Sequence, residues 1–212
     1  GTDQPPEAMT SSGGEAYAST IPASAYADGS RVRYRVYAED DTGVSDESSA
    51  ATFFAGTTPI AQLTQTDAQG RLVVDGDPAR VAGIVQAEAG VFAADEAYLE
   101  DTRGLRITGT TTLTDRERRY VVAGTMQQDD GQAELDVQSV VSAGDIQPTP
   151  PPAVTLAELL DDAEAFEGRL VRVVDVQQID GTFPASGDDS VVIDDGTGPF
   201  TLFIDGDTGI TP

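Results

Sequence analysis

Residues 98–105 read Tyr-Leu-Glu-Asp-Thr-Arg-Gly-Leu, and residues 192–198 read Val-Ile-Asp-Asp-Gly-Thr-Gly. In both stretches an apolar, strand-like run ends in an aspartate that is followed three residues later by glycine. A Gly-x-Phe sequence precedes each stretch, at residues 90–92 and 181–183, and a Val-rich run comes before that, at residues 81–85 and 170–174. The shared order of strand, loop and strand predicts two copies of one structural module.

The first copy reads as a small barrel. Val, Leu, Ile and Thr dominate four runs, and turn residues at 88–90, 103–104 and 129–131 separate them. The predicted strands cover residues 80–88, 97–108, 119–126 and 133–141. In both copies we expect Asp101 and Asp195 to accept backbone N–H bonds in the turn, and Gly104 and Gly198 to supply a positive φ. This pairing predicts that Asp101 corresponds to Asp195 and Gly104 to Gly198.

The second copy follows a proline-rich spacer at residues 147–152. Thr155 predicts a helix N-terminus, because Glu158 three residues later completes a capping-box pattern. Apolar residues then recur at helical spacing until Gly168, the predicted stop, at Leu156, Leu159, Leu160, Ala163 and Phe166. Strands are predicted at residues 170–176, 190–193 and 200–204, so this copy stops after its third strand.

The N-terminal segment has a different pattern. Residues 31–38 alternate strictly, which predicts a half-buried antiparallel strand with Val32, Tyr34, Val36 and Ala38 on one face. Further strands are predicted at residues 17–21 and 50–55, with a turn at 40–43 between two of them. Residues 1–14 are polar and rich in Gly and Pro, and we expect them to be poorly ordered.

These patterns resemble two known families. Residues 1–56 resemble the C-terminal strands of a fibronectin type III or immunoglobulin-like sandwich. The two copies resemble OB-fold modules, five-stranded Greek-key barrels that accompany secreted bacterial nucleases and phosphoesterases. The expected class is therefore all-β. The predicted divisions are a sandwich remnant at 1–56, a linker and lead-in strand at 57–78, an OB-like barrel at 79–147, a Pro-rich linker at 148–153 and a C-terminally truncated second barrel at 154–212.

Composition excludes most catalytic chemistry. All 12 basic residues are arginine, against 37 acidic ones, and the formal charge is -25. This imbalance predicts a salt-adapted protein, whose self-repulsion salt would screen. The chain has no His, Cys, Lys or Trp, which excludes Ser-His-Asp and Cys-His nucleophiles, thiolate zinc sites and Schiff bases. Only carboxylate pairs and all-oxygen metal sites remain, and adjacent acids are expected by chance in so acidic a chain. We therefore expect no enzyme activity, no cofactor and no metal.

Five of the twelve arginines lie within 17 residues and form a cationic concentration. On an OB barrel this region borders the usual ligand face, and aromatic residues nearby could stack on bases. The candidate ligand-binding residues for single-stranded nucleic acid are Arg103, Arg106, Arg116, Arg118, Arg119, Phe92, Tyr98 and Tyr120. The alternative is that these residues have a structural role and bind no ligand, because Asp115 and Glu117 alternate with the arginines and the tyrosines could belong to the core.

The functional prediction is a non-catalytic accessory region of a multidomain protein that is secreted or on the cell surface. Its expected partners are other domains of a longer parent chain and, weakly, single-stranded nucleic acid. A purely structural spacer or display element is the alternative, and a carboxylate-based hydrolase is the least favoured. No apolar run reaches the length of a membrane span, and we expect a monomer.

Overall fold

A computed structural model describes residues 5–22, 25–116, 118–146, 150–184 and 187–209. Strands dominate this part of the chain and helices are few and short, so the predicted all-β class is confirmed. A closed five-stranded barrel occupies the middle, small two-stranded sheets precede it, and a three-stranded sheet follows it. No helix among the described residues combines the length and the apolar character that a membrane span requires.

The N-terminal segment forms three two-stranded sheets: β1 (Thr10–Gly13) with β2 (Ala16–Ala18), β3 (Arg31–Tyr34) with β6 (Ala51–Phe54), and β4 (Tyr37–Glu39) with β5 (Ser45–Glu47). Residues 10–13, predicted to be poorly ordered, are thus a strand. The single strand predicted over 31–38 is wrong, because β3 ends at Tyr34 and β4 begins at Tyr37. Val32 of β3 is buried, but Val36, which lies between β3 and β4, is 40% exposed.

The barrel begins with a short helix, α1 (Ile60–Leu63), and its strands are β7 (Pro78–Ala87), β8 (Ala97–Glu100), β9 (Gly104–Thr108), β10 (Arg118–Asp129) and β11 (Gln132–Asp145). The strand order is β10-β11-β9-β8-β7, and the pairing of β10 with β7 closes the ring. β11 runs parallel to β9, whereas the other neighbours are antiparallel. The four predicted strand runs are confirmed, with the run at 97–108 divided at the predicted turn.

Period-two patterning and one tight turn explain the long closing hairpin. Tyr120, Val122, Gly124 and Met126 of β10 are buried, and the residues that alternate with them are more exposed. Asp129 pairs with Gln132, so Asp130 and Gly131 form a two-residue loop. Both loop residues have positive φ, 48° and 92°, which is the requirement of the type I′ turn that Asp-Gly sequences favour.

The barrel core extends into the segment that precedes β7. Ile60, Leu63, Leu72 and Val74 are buried in one cluster with the barrel residues. Most of this cluster comes from the strands, including Val81, Val85, Leu99, Leu105, Ile107, Val122, Met126 and Leu135. Residues 57–78, predicted as a linker and lead-in strand, therefore carry a helix and contribute four side chains to the barrel interior.

The second module contains α2 (Leu156–Asp161), α3 (Ala163–Phe166), β12 (Gln177–Asp180), β13 (Asp189–Asp194), β14 (Pro199–Ile204) and a 3-10 turn at Gly206–Thr208. The capping box of Thr155 and Glu158 is confirmed. The strand predicted at 170–176 is wrong, because only an isolated bridge joins Arg172 to Ala153. Asp175 has a φ of 57° in this stretch, a left-handed conformation that interrupts an extended strand.

The two modules share their lead-in geometry. The Thr58 N–H donates to the Arg80 carbonyl at 2.7 Å, and the Val154 N–H donates to the Arg172 carbonyl at 3.0 Å. A pairing irregularity follows in both modules, where β7 meets β8 and where β12 meets β13. Phe92 and Phe183 lie in the corresponding loops. The repeat therefore holds for the lead-in bond, the loop and the following hairpin.

One predicted correspondence within that hairpin is wrong. Glu100 pairs with Gly104 across the first turn, whereas Asp194 pairs with Pro199 across the second. The second turn is one residue longer, so Asp195 matches Asp101 but Pro199 takes the place of Gly104. Gly104 also lacks the positive φ that was predicted for it.

Candidate ligand-binding face of the first barrel

Arg106 lies at the centre of the outward-facing side of β8, β9 and β11. Strand pairing places it beside Tyr98 on β8 and beside Glu134 on β11. The neighbouring residues Leu105 and Ile107 point inward and are fully buried, so alternation along β9 sends the guanidinium group out of the barrel. This face corresponds to the ligand face expected from the sequence.

Carboxylates occupy the hydrogen-bonding groups of Arg106. Its Nε and Nη2 atoms both donate to Oε2 of Glu96, at 3.0 and 2.7 Å. Its Nη1 atom donates to Oδ2 of Asp129 at 3.1 Å and lies 3.3 Å from Oε2 of Glu134. Three carboxylates around one guanidinium leave the cluster with two excess negative charges, which is the opposite of a phosphate-binding surface.

Burial shifts the pKa values of the ionised groups around Arg106. Glu134 is 8% exposed, and desolvation raises the pKa of its carboxyl, an effect that Arg106 opposes. Desolvation also acts to lower the pKa of Arg106, but the hydrogen bonds and negative charges of Glu96, Asp129 and Glu134 together outweigh it, and the net pKa is raised. Removing Arg106 would therefore leave the carboxylates of Glu96 and Glu134, whose side chains are 12% and 10% exposed, without their cation.

The aromatic candidates divide between this face and the core. Phe92 and Tyr98 meet edge to face, with ring centroids 5.6 Å apart and planes at 75°. Tyr98 is partly buried, and desolvation followed by the charge of Glu96 raises the pKa of its hydroxyl. Tyr120 is 6% exposed and belongs to the barrel core. One aromatic pair is thus available beside Arg106, and its tyrosine hydroxyl borders a carboxylate.

The remaining candidate arginines lie elsewhere. Arg118 contacts Asp145 at 2.9 Å and Asp115 at 3.4 Å, at the open end of the hairpin opposite the Asp129 turn. Arg116 and Arg119 are exposed near that same end. Arg103 lies in the turn between β8 and β9, where its Nη1 atom donates to the Glu164 carbonyl at 2.5 Å. The structure therefore does not gather the five arginines on one surface.

The Asp-x-x-Gly turns serve as helix caps, a role that the sequence revealed only in part. Oδ1 of Asp101 accepts the Arg103 N–H and Oδ1 of Asp195 accepts the Thr197 N–H, both at 3.0 Å, as predicted for turn aspartates. In addition, Oδ2 of Asp101 accepts the Ile60 N–H and Oδ2 of Asp195 accepts the Leu156 N–H, both at 3.0 Å. Each turn thus caps the short helix that begins its own module.

A second group of residues joins the modules to each other. A Cβ atom at Gly104 would lie 2.1 Å from the Gly168 carbonyl carbon, so these two backbones are in direct contact. Arg169 pairs with Glu100 at 3.1 Å beside this contact, with side chains 21% and 12% exposed. Arg103 adds its bond to Glu164. Sequence analysis assigned Gly104 and Gly168 to a turn and a helix stop and missed their contact, which joins residues distant in the chain.

The chemistry available on the described surface is limited. No group of three or more acidic side chains among the described residues is arranged to hold a metal ion. Glu96, Asp129 and Glu134, which the sequence did not single out, each contact Arg106. Glu134 could be recognised only from the register of β9 against β11, because nothing in its local sequence distinguishes it from other acids.

Comparison with known proteins adds little. No family model and no curated protein matches the chain. Among solved structures, the hypothetical protein ygiW from E. coli is similar at 13% sequence identity, over 42% of this chain and 90% of that one, with a TM-score of 0.33. A TM-score this low supports no conclusion about fold or function.

Proposed function

We propose that this chain is a non-catalytic structural connector within a multidomain protein that is secreted or displayed at the cell surface of a salt-adapted organism. The observation that carries the proposal is the direct backbone contact of Gly104 with Gly168 between the two modules. A connector needs a defined angle between successive modules, and a close backbone approach without intervening side chains supplies one.

Polar contacts around Gly104 support this interpretation. The Arg169–Glu100 ion pair is largely shielded from water, and Arg103 reaches across to a backbone carbonyl of the second module. Such a pair adds little net stability, since desolvation offsets its attraction, and we propose that its role is to fix the register of the two modules. Toward the N-terminal segment, Arg31 pairs with Asp77 at 2.7 Å and the Gln62 amide donates to the Gly29 carbonyl at 2.8 Å. Polar contacts thus join the barrel both to the segment that precedes it and to the module that follows it in the chain.

Binding of single-stranded nucleic acid is the competing proposal, and the geometry favours it less. Arg106, the candidate beside an aromatic pair, is engaged by three carboxylates, and Arg103 contributes to the contact between modules. Phosphate would have to displace those carboxylates while approaching an acidic surface.

Two measurements on the whole chain separate these functions. In the unmodified chain, one alignment tensor should fit the residual dipolar couplings of both modules. In the double variant Glu100→Gln/Arg169→Gln, the fit of both modules to a single tensor should become worse. Asp46→Asn/Arg33→Gln, at exposed positions of the N-terminal segment, is the control and should change nothing. Independent tensors in the unmodified chain would refute the connector. Saturable binding of a labelled oligonucleotide, measured by fluorescence anisotropy in low and molar salt and lost in Arg106→Gln, would favour the competing function.

A further inference from the structure

Three arginines lie close together in an N-terminal segment that is otherwise acidic. Residues 1–56 contain 3 basic and 9 acidic side chains, and the basic ones are Arg31, Arg33 and Arg35. Arg35 pairs with Glu47 at 2.9 Å, and both side chains are about half exposed. Arg33 is exposed, and its guanidinium group has no ion-pair partner among the described residues. One cationic group is thus left without a carboxylate in a chain that has 37 acidic residues and 12 basic ones.

Strand pairing places Arg33 on the same face of the β3–β6 sheet as a second arginine and a hydroxyl group. Arg33 pairs with Thr52, and Arg31 pairs with Phe54. Directly opposed residues of an antiparallel pair share a face, as do alternate residues along one strand. The side chains of Arg31, Arg33 and Thr52 therefore leave the sheet on one side, with the two arginines about 7 Å apart along β3.

A groove open to solvent lies on this face. Its volume is about 390 Å³, which is within the range of roughly 300–1,000 Å³ that small-molecule sites occupy. The lining residues are Arg31, Arg33, Ala50 and Thr52. The described residues around the groove thus supply two guanidinium groups and one hydroxyl group, and none of them is acidic.

The groove is attached to the barrel through Arg31 and its strand neighbour. Nη2 of Arg31 lies 2.7 Å from Oδ2 of Asp77, whose side chain is 14% exposed. Phe54, which pairs with Arg31, is buried in the core cluster of the barrel. These contacts hold β3 and β6 in place before a ligand arrives, which lowers the cost of binding. Arg31 keeps further donors, because a guanidinium group has five N–H bonds, and two guanidinium groups against one carboxylate leave a net charge of +1.

From the groove, its charge and its donors, we propose that this face binds the sulfate or phosphate group of a small monoester. Arg33 supplies the unpaired guanidinium group, Arg31 its remaining N–H donors and Thr52 a hydroxyl group. Planar guanidinium groups bind such oxyanions with two parallel hydrogen bonds. Three donor groups match the three terminal oxygens of a monoester better than the two oxygens of a carboxylate. This inference goes beyond the connector role and does not depend on it.

The groove volume is the reason for proposing an ester instead of a free anion. The five heavy atoms of a sulfate ion fill only a small part of about 390 Å³. The remaining space accepts an organic group, and an aromatic ring there can stack on a guanidinium plane. Phenyl sulfate and phenyl phosphate are therefore the probes that fit the groove.

The test is a nuclear magnetic resonance titration of the whole, isotope-labelled chain, observed at the Arg33 Nε–H and the Thr52 amide. Molar KCl shortens the Debye length to about 3 Å, so the negative charge of the rest of the chain is screened. We expect saturable shifts with both phenyl esters, and the tighter of the two identifies the preferred group. Inorganic sulfate should bind at least about threefold more weakly, because it leaves the rest of the groove empty. Acetate should bind at least about tenfold more weakly, because it offers fewer oxygens and a single charge.

Variants of three residues locate the site. Arg33→Gln should weaken ester binding at least about tenfold, which corresponds to about 1.4 kcal/mol. Arg33→Lys should recover only part of that loss, because an ammonium group cannot form the paired hydrogen bonds. Thr52→Val, which removes the hydroxyl group and keeps the shape, should weaken binding about threefold.

Arg35→Gln is the matched control. It removes the same charge two residues away, but Arg35 pairs with Glu47 and does not line the groove, so the affinity should be unchanged. Arg33 is exposed and unpaired among the described residues, so its variants should fold, and their amide spectra check this.

Three results would overturn the site. The first is a set of Arg33 Nε–H shifts with the esters that is no larger than the shifts produced by added KCl at the same ionic strength. The second is an equal loss of affinity in Arg35→Gln and Arg33→Gln, which would show a general attraction to the N-terminal arginines. The third is acetate or inorganic sulfate binding as tightly as the esters, which would show that the groove responds to negative charge alone.

Discussion

The two modules begin alike and end differently. Each starts with a short helix capped by an aspartate from a later turn, and each continues into an antiparallel hairpin. Among the described residues, β10 and β11 follow the hairpin of the first module, and the core there has eighteen buried members against four in the second. Caps and turns need only a few neighbouring residues, whereas a closed core needs strands to cover both sides of the sheet.

The largest expected effect tests burial in the two modules. Leu135→Ala, at a fully buried position of β11, should lower the free energy of unfolding by about 2–5 kcal/mol, because it removes contacts and leaves a cavity. Leu202→Ala, at a 38% exposed position, should cost less than about 1 kcal/mol. Urea unfolding monitored by circular dichroism measures both. Equal losses would mean that the second module is as well packed as the first.

A glycine substitution tests the contact between the modules. Gly104→Ala places a methyl group against the backbone of Gly168, and forcing the two apart should cost about 1–3 kcal/mol. The amide resonances of residues 167–169 should shift while the barrel core stays intact. Thr108→Ala, on the same strand, serves as the control and should leave those resonances in place. Unshifted resonances in Gly104→Ala would contradict the contact.

Salt should affect the second module more than the first. Residues 150–212 carry 2 basic and 13 acidic side chains, whereas residues 57–147 carry 7 and 15. Screening of self-repulsion should raise the melting temperature of the chain by several degrees between low salt and molar KCl. Hydrogen exchange should slow most in β13 and β14. A flat or falling melting temperature would remove the basis for proposing salt adaptation.

The smallest expected effect concerns acid and the second cap. A hydrogen bond from the Thr197 hydroxyl, and then one from the Leu156 N–H, lowers the pKa of Asp195 below its ordinary value. A depressed folded pKa stabilises the protein at neutral pH, and this stabilisation is lost as pH falls from the unfolded pKa of about 3.9 through the folded one. Asp195→Asn should therefore lower the melting temperature at pH 7, and the difference from the unmodified chain should shrink toward pH 2. A constant difference would argue against an ionised cap.

Much of the local structure follows from short sequence patterns. The four strand runs of the first barrel, the Asp130-Gly131 turn and the capping box of Thr155 were all predictable, because each depends on neighbouring residues or on period-two alternation. The strand predicted at 170–176 failed for a tertiary reason. Its Val-rich composition favours an extended strand, but the described part of the chain provides it with no partner strand, and Asp175 turns the backbone.

The candidate site was predictable in composition but not in arrangement. The sequence showed that Arg103, Arg106 and the arginines at 116–119 are close along the chain, and that acids interleave them. It could not show that Glu134 lies beside Arg106, since that neighbour depends on the parallel register of β9 and β11.

Residue order and composition were sufficient for the all-β class, the internal repeat, the acidic surface and the exclusion of His-, Cys- and Lys-dependent chemistry. These properties depend on neighbouring residues or on simple sums over the sequence. The helix caps from Asp101 and Asp195, the carboxylates around Arg106 and the meeting of Gly104 with Gly168 required the folded chain. Each joins residues that are separated in sequence, and the closure of strands into sheets is what brings them within bonding distance.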